Sequence, residues 1–205
     1  MNHQTSSQRV TATGMELHRC FYAIRLAPEA NAYLAEMIGQ LSGHPTHVRW
    51  VPERNIHITL RFLGEITADQ LRRAGEIDIP ADAFHGFSLR ASGLGAFPML
   101  RAPKVFWAGV AGETGQDGDR LLHVQERTER HARGMGLQPE GRRYRPHITL
   151  GRISRPLDGL RELVDDIIGR ECLSPYSHVG EMVLMRSTLS GTGSAYEVLR
   201  SWRLG

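Results

Sequence analysis

At 205 residues the chain can bury a sizeable core, as one domain or as two intimately packed lobes. Its 40% hydrophobic and 23% charged residues are those of a soluble globular protein, and no apolar run approaches the ~18 residues of a membrane span. Net charge is only +3, but the basic residues are almost all arginine, with Lys104 the sole lysine. That bias suits phosphate and base recognition, although genomic base composition accounts for it equally well.

The first eighteen residues are polar, lack the apolar centre of a secretory signal and read as a disordered tail before a single domain over 19–205. A cytoplasmic location is the default. Phe21–Leu26 reads as a buried strand, and a helix follows from about Pro28 to Leu41, with Leu34, Met37, Ile38 and Leu41 on one face. Val48–Val51 is a short strand. A strand over about 56–63 closes at Gly64, and Thr67-Ala68-Asp69-Gln70 has the form of a capping box opening a helix to about Ala74.

Strands are predicted at about 84–97 and 104–110, then a Gly-rich loop at 112–118 and a helix at about 119–133 with Leu121, Leu122, Thr128 and Ala132 inward. A strand over about 143–153 comes next, then a helix starting at Pro156 that carries Leu157, Leu160, Val164 and Ile167 on one side. Strands at about 178–188 and 195–203 flank a turn at Gly191-Thr192-Gly193. The order strand, helix, strand, strand, helix recurs loosely in the second half, without the regular spacing of a parallel sheet. The expected fold class is α+β: two similar lobes of antiparallel sheet and helix around a central cleft, exchanging strands rather than forming independent domains.

One phrase occurs twice: His57-Ile58-Thr59-Leu60 and His147-Ile148-Thr149-Leu150. A lone His-x-Thr carries little information, whereas a verbatim four-residue repeat does. Alternation within a strand puts His and Thr on one face, about 7 Å apart, and Ile and Leu on the other. Two such strands facing each other supply two imidazoles and two hydroxyls. Imidazole has an ordinary pKa of about 6.5, so it can take a proton from water or give one to a leaving oxygen near neutral pH. The Thr hydroxyls can donate to non-bridging phosphate oxygens. Neither strand offers a further ligand at metal spacing, so no metal or other cofactor is expected. Cys20 and Cys172 match no metal or redox spacing and read as buried thiols.

The chain resembles the two-histidine (2H) phosphoesterases, specifically the RNA 2′,3′-cyclic phosphodiesterases, or 2′-5′ RNA ligase-like proteins. The resemblance rests on 49–53, 55–65 around the first motif, 96–98, 105–110, 144–152 around the second motif, and the closing run 182–204 with Arg186, Ser187 and Tyr196. It implies a bilobal fold and metal-independent hydrolysis of an RNA terminal 2′,3′-cyclic phosphate, usually to a 2′-phosphate. Some relatives also join or cleave 2′-5′ linkages. The resemblance puts His57, Thr59, His147 and Thr149 on the catalytic and phosphate-binding positions, with His147 as base and His57 as acid. The two near-identical motifs give no way to choose between these roles.

Phe62 and Arg152 each lie five residues after their histidine, and the family uses such positions to sandwich the terminal base. Strict alternation turns both away from the histidine face, so the sandwich requires a bend in each strand. Arg145, in the run Arg142-Arg143-Tyr144-Arg145, is a candidate for the RNA backbone, a solvated face being the alternative. His18, His44, His47, His85, His123, His131 and His178 read as structural or exposed. The expected partners are RNA ends or nucleoside 2′,3′-cyclic phosphates, with no membrane and a monomeric chain. Competing readings are a 2′-5′ oligonucleotide or small cyclic-nucleotide phosphodiesterase, and a non-catalytic RNA-end binder.

Overall fold

The computed structural model describes residues 9–10, 16–44, 48–80, 86–153, 160–190 and 193–204. In chain order the strands are β1 (Arg9–Val10), β2 (Glu16–Ile24), β3 (Val48–Trp50), β4 (Ile58–Thr67), β5 (Phe87–Phe97), β6 (Val105–Gly112), β7 (His147–Ile153), β8 (Ser177–Val179), β9 (Glu181–Ser190) and β10 (Gly193–Arg203). The helices are α1 (Pro28–Leu41), α2 (Ala68–Ala74), α3 (Gly115–Gly134) and α4 (Leu160–Gly169).

All paired strands run antiparallel, in the order β10-β9-β2-β4-β7-β6-β5-β8, with β1 beside β2 and β3 beside β7. The order divides at its centre into two matching halves. β2-α1-β4 corresponds to β6-α3-β7, β9 to β5, and β10 to β8. The last two strands return to the first half, and β3 crosses to the second, so the lobes exchange strands as the sequence suggested. Between β4 and β7 the recorded register is one pair, Ile58 opposite Ile148.

One face of the sheet carries the helices. Ile24, Ile58, Leu60, Phe106, Ala108, Ile148 and Leu150 meet Leu34 and Leu41 of α1, Leu121 and Val124 of α3, and Leu163 and Ile167 of α4 in one core. Burying these side chains from water is the main force holding helices to sheet. The Tyr22 hydroxyl donates to the Ala74 carbonyl at 2.7 Å and fastens α2. The opposite face is open and holds a small second cluster of Phe21, Ala23, Val183 and Met185, flanked by Phe62 and Tyr196.

Both motif strands are bulged at the same point. Ala23 faces Thr59 and Tyr22 faces Arg61, which leaves Leu60 unpaired; Trp107 faces Thr149 and Phe106 faces Gly151, which leaves Leu150 unpaired. An extra residue shifts the side-chain alternation by one. Leu60 and Leu150 turn into the core, their successors Arg61 and Gly151 stay on that side, and Phe62 and Arg152 come back to the histidine face. These bulges are the bends that the sequence reading required.

Several boundaries differ from expectation. β2 begins at Glu16, so residues 16–18 belong to the sheet rather than to a tail, and Arg9–Val10 pair with Leu17 and Glu16. β4 continues past Gly64 to Thr67, because the glycine adopts φ 77° beside a further bulge at Leu63 and lets the strand bend instead of stopping. β7 begins at His147, not near 143. α3 begins at Gly115 inside the expected loop. Thr114 and Asp117 form a capping box there, which outweighs the glycines at 115 and 118, and Leu122 is exposed rather than inward. Gly180 separates β8 from β9 where one strand was expected. Residues 1–8, 11–15, Pro156, Leu157, Gly191 and Thr192, on which other expectations fell, lie outside the described residues. The capping box of α2, with Thr67 and Gln70, and the buried free thiols of Cys20 and Cys172 are as expected.

Arg61, only 6% exposed, pairs with Glu129 of α3 at 2.5 Å and with Glu140 at 2.6 Å, and donates to the Phe62 and Gln138 carbonyls. Glu129 is partly buried and Glu140 exposed, so removing the arginine costs chiefly its charge-assisted hydrogen bonds. Arg61→Ala should therefore lower unfolding stability by about 1.5–3 kcal/mol in a urea titration. A loss well under 1 kcal/mol would mean that water already screens the pair.

Candidate active site

The antiparallel pairing of Ile58 with Ile148 sets the site. Both isoleucines are fully buried in the core, so their neighbours in sequence project from the open face. The register places His57 across from Thr149 and Thr59 across from His147. The four side chains form the corners of a quadrilateral, with the histidines on one diagonal and the threonines on the other. Diagonal neighbours in an antiparallel pair lie about 7–8 Å apart at Cα, a span that admits one tetrahedral phosphate between two rings. The four motif residues thus come together on two adjacent strands of one continuous sheet, rather than on two facing sheets.

Each imidazole is anchored in the same way. His57 Nδ1 lies 2.7 Å from the Asn55 carbonyl, and His147 Nδ1 lies 2.8 Å from the Arg145 carbonyl. A carbonyl only accepts, so each ring carries its proton on Nδ1 and presents Nε2 to the site. His57 Nε2 is 3.0 Å from the Thr59 hydroxyl, which donates to it while the ring is neutral. The buried Asn55 donates its side-chain amide to the Ser194 carbonyl at 2.6 Å and fixes the turn that supplies the His57 anchor.

Aromatic rings wall the histidines. Phe21 lies 5.0 Å and Tyr196 5.3 Å from the His57 ring, the latter edge-on at 89°. Phe97 stands edge-on to His147 at 5.1 Å and 85°. Burial pushes the His57 pKa down to about 4, opposed by the bond to Asn55 and reinforced by the nearby charges of His147 and Arg152. The His147 pKa is also lowered, by burial first and then by Arg152, against the bond to Arg145. Both rings are therefore neutral in the free protein at pH 7.

Arg152 acts on both histidines, so the guanidinium belongs to the motif face. Phe62 stacks near Phe21 at 6.3 Å, and the Arg19 guanidinium lies 4.4 Å over its ring. Arg145 contributes its carbonyl to His147, while its side chain is exposed. His44 pairs with Asp166 at 2.8 Å and His131 with the Arg73 carbonyl at 2.9 Å, far from the motifs in the sheet. Among the described residues no group of three or more His, Cys, Asp or Glu side chains could hold a metal ion. Likewise, no helix among them is long and apolar enough to cross a membrane.

Sequence reasoning missed three contributors. Phe21 and Tyr196, 36 and 139 positions from His57, gave no local signal for their packing against it. Tyr144 was read as part of a basic run and of the stretch 144–152 that carries the resemblance, with no role of its own. Its hydroxyl donates to the Thr59 carbonyl at 3.0 Å and ties the approach to one motif onto the strand of the other. The bulge at Leu60 alters the ladder beside that carbonyl.

Comparison with known proteins gives the family and the fold. The family model described as LigT like Phosphoesterase matches residues 24–107 and 114–196. A protein of Aeropyrum pernix named RNA 2′,3′-cyclic phosphodiesterase is 33% identical over 168 residues, which is 81% of this chain and 92% of that one. One of the same name from Thermotoga maritima is 32% identical over 88% of this chain and 92% of its own length. A crystal structure from Thermus thermophilus superposes with a TM-score of 0.72 at 26% identity, covering 91% of this chain and 97% of that one. LigT of E. coli complexed with 3′-AMP superposes with a TM-score of 0.66 at 27% identity, covering 92% and 99%. With both motifs, the bilobal sheet and matches along most of its length, the chain belongs to the LigT-like family of 2H phosphoesterases.

Proposed function

We propose that this protein hydrolyses the 2′,3′-cyclic phosphate at the end of an RNA and leaves a 2′-phosphate. The observation that carries the reading is the diagonal placement of His57 and His147 across the junction of β4 and β7, each anchored through Nδ1 and presenting Nε2. In-line displacement at phosphorus needs a base and an acid on opposite sides, which a diagonal supplies and a row of neighbours does not. The names of the relatives, RNA 2′,3′-cyclic phosphodiesterase, support the same substrate.

In this reading His147 Nε2 takes a proton from water as the water oxygen bonds to phosphorus. The bond from phosphorus to the 3′ oxygen breaks, and His57 gives that oxygen a proton from Nε2. Thr59 and Thr149 donate to the non-bridging oxygens, where charge is concentrated. His57 must first gain a proton, which its pKa of about 4 disfavours in the free protein. An anionic phosphate beside the ring reverses that balance. Substrate thus arms its own acid, and Thr59 turns its hydroxyl from the ring to the phosphate.

Phe62 and Arg152 take the terminal base between a ring and a guanidinium, the base competing with Arg19 for the ring face. Arg145 offers an exposed cation to the RNA backbone. One chain supplies both motifs, so the protein acts as a monomeric bilobal unit, in the cytoplasm. Joining of 2′-5′ ends is the same displacement run with a ribose hydroxyl in place of water.

Incubation with an RNA ending in a cyclic phosphate, in the presence of chelator, should give full turnover and a 2′-phosphate product. A 3′-phosphate product, no turnover, or loss of activity to the chelator would each overturn the reading. A mononucleoside cyclic phosphate and a 2′-5′ dinucleotide assayed alongside separate the related phosphodiesterases, and tight binding without turnover identifies an end-binding module.

His57→Ala and His147→Ala should each lower kcat by about 10²–10⁴-fold with an unchanged circular dichroism spectrum; near-normal turnover in either refutes its role. In NMR titrations His57 should titrate near 4 in the free protein and higher with a bound 2′-nucleotide. Its folded pKa lies below the unfolded value of 6.5, so its contribution to stability is complete above pH 6.5 and is lost as pH falls through about 4. Unfolding free energy should accordingly decline over that window, and less steeply in His57→Gln.

A further inference from the structure

We propose that Arg49 and Arg152 form a second anion site on the open face, for the phosphodiester that joins the terminal nucleotide to the one before it. The proposal rests on the cyclic-phosphate reading above and extends it from the RNA end to the RNA strand.

β4 leaves β7 after their shared pair, and β3 takes its place beside β7, with Val48 opposite Ile153, Arg49 opposite Arg152 and Trp50 opposite Gly151. Opposed residues in an antiparallel pair share a face. Val48 and Trp50 turn to the core side, where a Cβ added to Gly151 would lie 2.6 Å from Val48 Cγ1 and 2.7 Å from Trp50 Cε3. Arg49 and Arg152 therefore both turn outward, onto the face of the histidines, and both are exposed.

Like charges directly opposite each other destabilise a strand pair. Several arginines elsewhere are matched, among them Arg72 with Asp69 and Glu76, Arg127 with Asp78, Arg170 with Asp166 and Arg186 with Glu197, but none of these faces a second arginine across a strand pair. Among the described residues no ion pair relieves Arg49 or Arg152. Two unmatched guanidinium forks side by side form a receptor for an anion with several oxygens, which can accept from both. The reacting phosphate already has the His–Thr quadrilateral. Arg152 lies three residues beyond Thr149 along β7, on the order of 7–10 Å, at the reach of the adjoining phosphodiester.

The test compares kcat/KM for a nucleoside 2′,3′-cyclic phosphate with that for a dinucleotide ending in the same group. A third substrate is the dinucleotide with a neutral methylphosphonate linkage. The wild-type protein should favour the charged dinucleotide by about tenfold or more, the strength of charge-assisted hydrogen bonds. The methylphosphonate should abolish that preference, Arg49→Gln should abolish it too, and Arg49→Lys should retain part of it. Because Arg49→Gln removes a repulsion, its Tm should equal or exceed that of the wild type. A wild-type ratio in Arg49→Gln overturns the proposal, as does a preference that survives the neutral linkage, which would assign it to the added sugar or base. Turnover of none of the three substrates overturns the phosphodiesterase reading itself, and this proposal with it.

Discussion

The site depends on one contact: the pairing of Ile58 with Ile148 where the two half-sheets meet. The side chains of both residues are wholly buried, so neither strand can slide by one residue without bringing His and Thr into the core. Register is thereby fixed at the one place where the two His-Ile-Thr-Leu segments lie side by side. A pairing limited to this position also lets the strands diverge immediately, with the bulges at Leu60 and Leu150 bending each away. The groove between the halves and the alignment of the motifs follow from the same geometry. The Tyr144 hydroxyl on the Thr59 carbonyl holds the junction at a second point.

The two halves are alike in topology and unlike in surroundings. His57 lies between Phe21 and Tyr196, whereas His147 has Phe97 edge-on. Both rings lose proton affinity through burial, and His57 is driven down to about 4. Two identical motifs thus acquire different proton affinities from their neighbours, although their backbone anchors are the same. Arg152 belongs to both environments. Its charge lowers the proton affinity of each ring.

Much of this was legible from residues alone. The repeated motif identified the four central side chains, periodicity placed α1 and the core of most strands, and the capping box at Thr67 placed α2. The failures have specific causes. Gly64 looked like a strand end because glycine commonly ends strands, yet its positive φ serves a bend within β4. Gly115 and Gly118 hid the first turn of α3, which a capping box between Thr114 and Asp117 secures. Phe62 and Arg152 violated strict alternation, and only the ladder with β2 and β6 reveals the extra residue in each strand.

By itself the sequence determined which side chains stand at the junction of the two halves and that they come in two copies, because side-chain identity and strand alternation are local properties. It also determined the antiparallel α+β class, through the order and spacing of its apolar runs. Only the tertiary structure decided that the two motifs lie on adjacent strands with their histidines on a diagonal. The same holds for the rings that wall each imidazole and for the return of Phe62 and Arg152 to the same face. The pairing of Arg49 with Arg152 was equally invisible beforehand. Those features depend on register and bulges between segments some 35 to 140 residues apart, and no local pattern encodes which of several equally apolar strands will lie beside which.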